Sequence, residues 1–225
     1  MTNDEMTNKT LIDLSHIIEH GTLTYRGLPA PIVCDYLSRE ESRKIYAPGT
    51  EFQIAKIEMV ANTGTYLDCP FHRYEQGKDL ADISLEQFAN LPAVLVRADF
   101  RKTKAVDIDF FEGIDVRGKA VLVNTNWSEH WGTDAYFENN PFLTEAAAAF
   151  LVAGGAVLVG IDSHNIDDTN GNIRPVHTVL LGNDVLIVEH LCNLHLLPGE
   201  GFLFSAVPPK FRGVGTFPVR AFATL

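Results

Sequence analysis

The sequence predicts a mixed α/β fold with many strands and few helices. Three short apolar runs carry this reading: Ala93-Val94-Leu95-Val96, Ala120-Val121-Leu122-Val123 and Ala156-Val157-Leu158-Val159. Each is β-branched and uninterrupted, the profile of a strand buried on both faces. Between the second and third lies one strong helix signal, Thr144 to Gly155, with a run of alanines and a capping threonine. From Val176 onward the pattern turns to strands and turns. The α/β alternation is confined to the middle third, which argues against a regular doubly wound sheet.

The flanking elements follow in order. Residues Met1 to Thr10 are polar and expected to fray. Leu11 to Ser15 reads as a short strand, and His16 and His20 beyond it as surface histidines. Prolines 29, 31 and 48 with Gly49 predict a loop-rich segment around the run Ile32 to Tyr36. Phe52 to Val60 alternates apolar and polar residues and reads as a strand leading into a loop. Ser84 and Gln87 have capping-box spacing, so a short helix is expected there. The aromatic and polar block from Trp127 to Pro141 reads as a structured loop, and Gly154 as a left-handed helix exit. Asp184 to Glu189, Gly201 to Val207 and Phe217 to Phe222 read as strands, with Pro208, Pro209 and Gly213 between the last two.

Composition bounds the function. The chain has 225 residues, 46% of them hydrophobic and 21% charged, with no linker-like stretch, so one domain over 1–225 is expected. A net charge of -11 argues against nucleic acid as a partner, because phosphate binding requires a basic surface. No basic segment runs into an apolar one at the start, and no apolar run is long enough to cross a bilayer, so no membrane role is expected. Three cysteines without CxxC spacing fit a reducing, cytoplasmic setting. Cys69 is either a nucleophile or a small packing residue, and burial preferences favour packing.

The chemistry-bearing residues concentrate in the stretch Ala61 to His72. Asp68 and His72 flank Pro70, which excludes an ordinary helix interior. A carboxylate and an imidazole held on a stiff segment suit metal ligation or proton transfer. A second cluster pairs His177 with Glu189 across the turn Gly182-Asn183-Asp184, where a hairpin would set them side by side. Imidazole with carboxylate suits zinc or manganese. Asp162, His164 and Asp167 form a third polar group, and Asp167 to Asn172 reads as a turn that mimics part of a calcium loop.

With these residues in place, the chain resembles the cyclase family that includes bacterial kynurenine formamidase and isatin hydrolase. The signature HxGTHxDxPxH is matched by Asn62-Thr63-Gly64-Thr65-Tyr66-Leu67-Asp68-Cys69-Pro70-Phe71-His72. Further matches lie at Asp13-Leu14-Ser15, at Gly160-Ile161-Asp162, and from His177 through Glu189. The resemblance implies a swivelling β/β/α fold, a homodimer or tetramer, and hydrolysis of a small formamide or cyclic amide. It implies Asp68, His177 and Glu189 as ligands of a divalent metal, for which zinc or manganese suits these residue types, and His72 as the group that moves the proton. Tyr66, which departs from the signature, is read from its own chemistry as a second catalytic group. Asn62, Trp127 and Trp131 would contact the substrate.

The resemblance is partial in one place. Asn62 and Tyr66 stand where the signature has histidines. Neither replaces imidazole well as a zinc ligand, so a single ion is expected, or none. Two other readings therefore stand beside the metal-assisted hydrolase. One is a small-molecule binder without turnover, and the other a metal-free lyase or isomerase using His72 and Tyr66 as acid and base.

Overall fold

A computed structural model describes residues 9–225. The expected fraying therefore falls mostly outside the described residues. At its inner end Thr10 is tied down, since its carbonyl accepts from Leu225 N at 2.9 Å.

The strands, in chain order, are β1 (Leu11–Asp13), β2 (Ile32–Leu37), β3 (Ile54–Glu58), β4 (Tyr66–Asp68), β5 (Leu91–Arg97), β6 (Ala105–Val106), β7 (Ala120–Asn124), β8 (Phe142–Leu143), β9 (Leu158–Ile161), β10 (Leu186–Glu189), β11 (Phe202–Ser205), β12 (Thr216–Pro218) and β13 (Phe222–Thr224). The α-helices are α1 (Arg39–Ser42), α2 (Glu145–Gly154) and α3 (Pro175–Gly182). Nine strands form one mixed sheet in the order β1-β13-β11-β5-β7-β9-β10-β4-β12.

The three look-alike runs lie side by side. β5, β7, β9 and β10 are parallel neighbours, and antiparallel strands extend the sheet on both sides. Ala93 pairs with Ala120, but Ala120 pairs with Leu158, so the third strand starts two residues later than its run suggests.

Both faces of these central strands are buried, as their composition predicts. One face, with Val121, Val123, Val159, Ile161 and Ile187, packs under α2 and α3 through Leu151, Val176 and Leu180. The other face carries Leu122, Leu158 and Val188. It shares one cluster with Leu14 and Ala223 from one side of the sheet and Leu67 from the other. Residues from opposite flanks meet there because the sheet curls over them.

Helix α2 is capped as expected: Thr144 Oγ1 accepts from Ala147 N at 3.0 Å. The left-handed exit falls at Gly155, with φ +83°, one residue past the expected Gly154. Gly154 itself is the last helical residue, and a Cβ there would collide with Val116. The helix expected at Ser84 is a single 3-10 turn, Leu85–Gln87, and Ser84 makes no capping bond through its side chain. The strand expected over Phe217 to Phe222 is two strands, β12 and β13, on opposite sides of the sheet.

The largest correction concerns the segment after Arg174. An apolar run was expected to form a hairpin arm; it forms helix α3 instead. Pro175 at the first helical position was the available signal, since its fixed φ suits that position and its missing N–H costs nothing there.

β2 and β3 pair only with each other and leave the main sheet. Ile32, Val33, Tyr36, Ile54 and Ile57 are all exposed on this ribbon, so the alternation in Phe52 to Val60 does not reflect a buried face of this chain.

Candidate active site

The site forms where β4, β10, β12 and α3 converge. The stretch Ala61 to His72 is not simply a loop. Tyr66, Leu67 and Asp68 form β4, paired on one side with β10 and on the other with β12. This pairing sets Asp68 opposite both Ile187 and Thr216, and Tyr66 opposite Glu189.

Beyond β4 a 3-10 turn, Pro70–His72, delivers His72. Gly215 makes this possible, since a Cβ there would collide with the backbone of Phe71 and His72. Upstream, Gly64 at φ +65° lies against Ile18, a conformation and a spacing that exclude a side chain.

Asp68 is fully buried. Its Oδ1 accepts a hydrogen bond from Thr216 Oγ1, while its Oδ2 has no partner at all. Thr216 Oγ1 also lies 2.7 Å from His72 Nδ1. Because the threonine spends its only proton on the carboxylate, it accepts from His72 Nδ1–H. That assignment leaves the Nε2 lone pair of His72 available. His72 is also the most open of these groups, with its side chain about one-third exposed.

His177 sits on the first turn of α3, 3.8 Å by its Nε2 from Asp68 Oδ2 and 3.8 Å from Glu189 Oε1. The expected juxtaposition is therefore real, reached through a helix rather than a hairpin. Asp167 holds the ring in place. Its carboxylate accepts from His177 Nδ1 at 2.6 Å, from His177 N at 3.1 Å and from Val176 N at 2.7 Å. It thus serves as the anchor of the helix start and the orienting group of the imidazole. Sequence reading placed Asp167 in a turn and gave it no role.

Electrostatics at His177 oppose its burial. Desolvation pulls the imidazolium down, but the bonds to Asp167 and Asp68 and the charges of Glu189 and Asp68 outweigh it and push the pKa up to about 10. Glu189 is raised above the ordinary carboxylate range, first by burial and then by the charge of Asp68. Its Oε2 accepts from Tyr66 OH at 2.5 Å and its Oε1 from Ile166 N at 2.6 Å. Burial and the Glu189 charge hold the Tyr66 phenol well above its ordinary value, so it remains a proton donor. Tyr25, not singled out from sequence, places its hydroxyl 2.8 Å from Tyr66 OH and 3.3 Å from Glu189 Oε2.

A cation fits this donor set. Two ligand atoms each about 2.0–2.2 Å from one zinc ion are about 3.4 Å apart at the tetrahedral angle. The 3.8 Å separations around His177 Nε2 are close to that, and Asp68 Oδ2 is a buried oxygen that otherwise lacks a partner. Among the described residues, Asp68, His72 and His177 have ligand atoms all within 4.8 Å of one another. That group contains His72 and omits Glu189, the third ligand expected from sequence, whose Oε1 lies 3.8 Å from His177 Nε2.

These side chains face a cavity of about 760 Å³, lined by Tyr25, Asn62, Tyr66, His72, His177 and Glu189 among others. Asn62 is among its lining residues. Trp127 and Trp131 do not line it. Trp127 is buried, donates Nε1–H to Tyr136 O at 3.1 Å and packs on Phe100. Trp131 stacks on His16 at 4.0 Å and lines a separate cavity of about 1240 Å³. Asp162, from the third polar group, makes a structural joint. Asp162 accepts from Thr125 N at 2.7 Å and Asn126 N at 2.9 Å, tying the end of β9 to that of β7. Cys69 is fully buried, and burial pushes its thiol up to about 12, which fits a packing residue.

The fold and this constellation define a class. A family profile described as "Putative cyclase" matches residues 12–168, and the chain belongs to that family. Kynurenine formamidase of Bacillus cereus is 25% identical over 219 residues, 96% of this chain and 98% of that one. The kynurenine formamidase of Geobacillus thermodenitrificans is 29% identical over 169 residues, 75% of this chain and 78% of that one. Isatin hydrolase A from Ralstonia solanacearum superposes with a TM-score of 0.81 over 97% of this chain and 92% of that chain, at 24% identity, a likeness of fold. A structure described as a potential metal-dependent hydrolase with cyclase activity superposes at 0.78 over 96% of this chain and 98% of that one, at 25% identity.

Proposed function

We propose that this protein is a cyclase-family hydrolase that cleaves the C–N bond of a small formamide or cyclic amide with the help of one divalent cation, zinc or manganese. The observation that carries the reading is the orphaned Oδ2 of buried Asp68 beside His177 Nε2, the same nitrogen that faces Glu189 Oε1. Near-full-length similarity to kynurenine formamidases supports the reaction class.

Asp68, His177 and Glu189 would hold the cation. When bound, it supplies Lewis-acid polarisation of the amide carbonyl. His72, its Nδ1 donating to Thr216, uses Nε2 to take a proton from the attacking water and return it to the departing nitrogen. Tyr66 is a neutral donor beside Glu189, and Asn62 lends an amide to orient the substrate. Tyr66 and Asn62 occupy the places of two signature histidines, so a second cation is not expected.

The test is elemental analysis of the purified protein together with formamide and cyclic-amide hydrolysis by the wild type and His72→Ala. One bound divalent ion per chain and loss of turnover in the variant support the reading. Turnover that survives exhaustive chelation would instead favour metal-free acid–base chemistry by His72 and Tyr66.

Two further features belong to this reading. The exposed apolar ribbon of β2 and β3 supports a homo-oligomer, which sedimentation would show as a mass above one chain. Free cysteines at 34, 69 and 192 agree with a reducing cytoplasm, and no helix among the described residues is long and apolar enough to cross a membrane.

A further inference from the structure

The Tyr25 hydroxyl has four polar groups within reach. Tyr66 OH and His164 O are both at 2.8 Å, Asn165 Nδ2 is at 3.0 Å and Glu189 Oε2 at 3.3 Å. Asn165 donates into it. Tyr25 has one proton to give, and Tyr66 gives its own to Glu189. Glu189 Oε2 accepts the Tyr66 proton and has the Tyr25 hydroxyl beside it. The Tyr25 proton is shared among His164 O, Tyr66 OH and, at the longest distance, Oε2, while Oε1 receives Ile166 N and faces His177.

The ring and the hydroxyl of Tyr25 do separable things. The ring packs on His164 at 4.5 Å and edge-on to His190 at 5.4 Å, contacts a phenylalanine would keep. Only the hydroxyl reaches the carboxylate. No regular secondary structure carries Tyr25, which arrives from the segment between β1 and β2.

We propose that Tyr25 is a positioning residue of the cation site, acting through Tyr66 and Glu189. The two phenols keep Oε2 turned away, so that Glu189 presents Oε1 alone toward His177 Nε2. The inference rests on the metal-assisted reading above. A glutamate held to one oxygen suits a four-coordinate ion such as Zn²⁺ and disfavours Ca²⁺, which takes six to eight oxygens and often a bidentate carboxylate.

The experiment is calorimetric titration of the metal-stripped full-length protein with Zn²⁺ and, separately, Ca²⁺. Wild type, Tyr25→Phe, Tyr66→Phe and the double variant are compared, with a melting curve for each metal-free protein. Tyr25→Phe is expected to bind Zn²⁺ about 10- to 100-fold more weakly, the usual effect of removing an outer hydrogen-bond partner of a metal ligand. The preference for Zn²⁺ over Ca²⁺ should narrow. In the Tyr66→Phe background the same change should add less than threefold, because both residues act on one oxygen. Wild type that binds Zn²⁺ alongside Tyr25→Phe that binds it within twofold as well overturns this inference alone. Fully additive losses would also overturn it. Wild type that binds no Zn²⁺ overturns the metal-assisted reading, and this inference with it.

Discussion

The carboxylate of Asp167 holds Nδ1 of His177 at 2.6 Å, and that contact decides which ring nitrogen faces Asp68 and Glu189. With Nδ1 occupied, Nε2 is the atom left to bind or release a cation. Asp167 also receives the first free N–H groups of α3, so the helix and the ligand are aimed by one residue.

Asp167→Asn should therefore weaken Zn²⁺ binding by about 10- to 100-fold, as expected when the partner of a ligating histidine is altered. The loss should appear in calorimetric titration. Unchanged affinity would show that His177 is held by packing alone.

His72→Ala separates two roles for that residue. As a general base it should lower kcat by about 10²- to 10⁴-fold while the protein still takes up one ion. The close grouping of Asp68, His72 and His177 allows the other outcome, in which metal content falls with activity. Elemental analysis of the variant beside its kinetics decides.

Thr216→Val keeps the side-chain shape but removes the hydroxyl that joins Asp68 to His72. Losing a hydrogen bond to a charged group costs roughly 1.5–3 kcal/mol. If that cost falls on the transition state, kcat drops by about tenfold or more with KM nearly unchanged. An equal rise in KM would place Thr216 in ground-state binding instead.

The metal-free protein should lose stability as pH rises. His177 has its folded pKa raised to about 10, from an ordinary 6.5. A group that binds its proton more tightly when folded contributes most below the unfolded value. That contribution disappears as pH climbs through the folded value. Melting temperature of the stripped protein should fall between about pH 6.5 and 10, and His177→Gln should flatten that slope. Added Zn²⁺ competes with the same proton, so its binding should release protons and tighten with pH.

Much of the fold was legible in the chain itself. Short, valine-rich runs have no polar side to expose, so Ala93 to Val96 and its two counterparts read as strands covered on both faces, and those residues are largely buried. Asp68 and His72 also stood out, because a proline between a carboxylate and an imidazole limits what the backbone can do. The apolar run after Pro175 was harder to read. Over eight residues a buried helix and a buried strand look alike in composition, and only the packing of α3 on the central strands settles it.

The sequence by itself determined the strand-rich α/β class and the residue types of the site, because periodicity and side-chain chemistry are local properties. Only the tertiary structure decided which partners complete that site. Thr216 meets Asp68 across 148 positions of chain, and Tyr66 meets Glu189 across 123. Tyr25 and Asp167 come from segments with no periodicity to mark them. Their roles arise where a curled sheet brings β4, β10 and β12 together under the start of α3, and hydrogen-bond distance between such segments is a property of the fold.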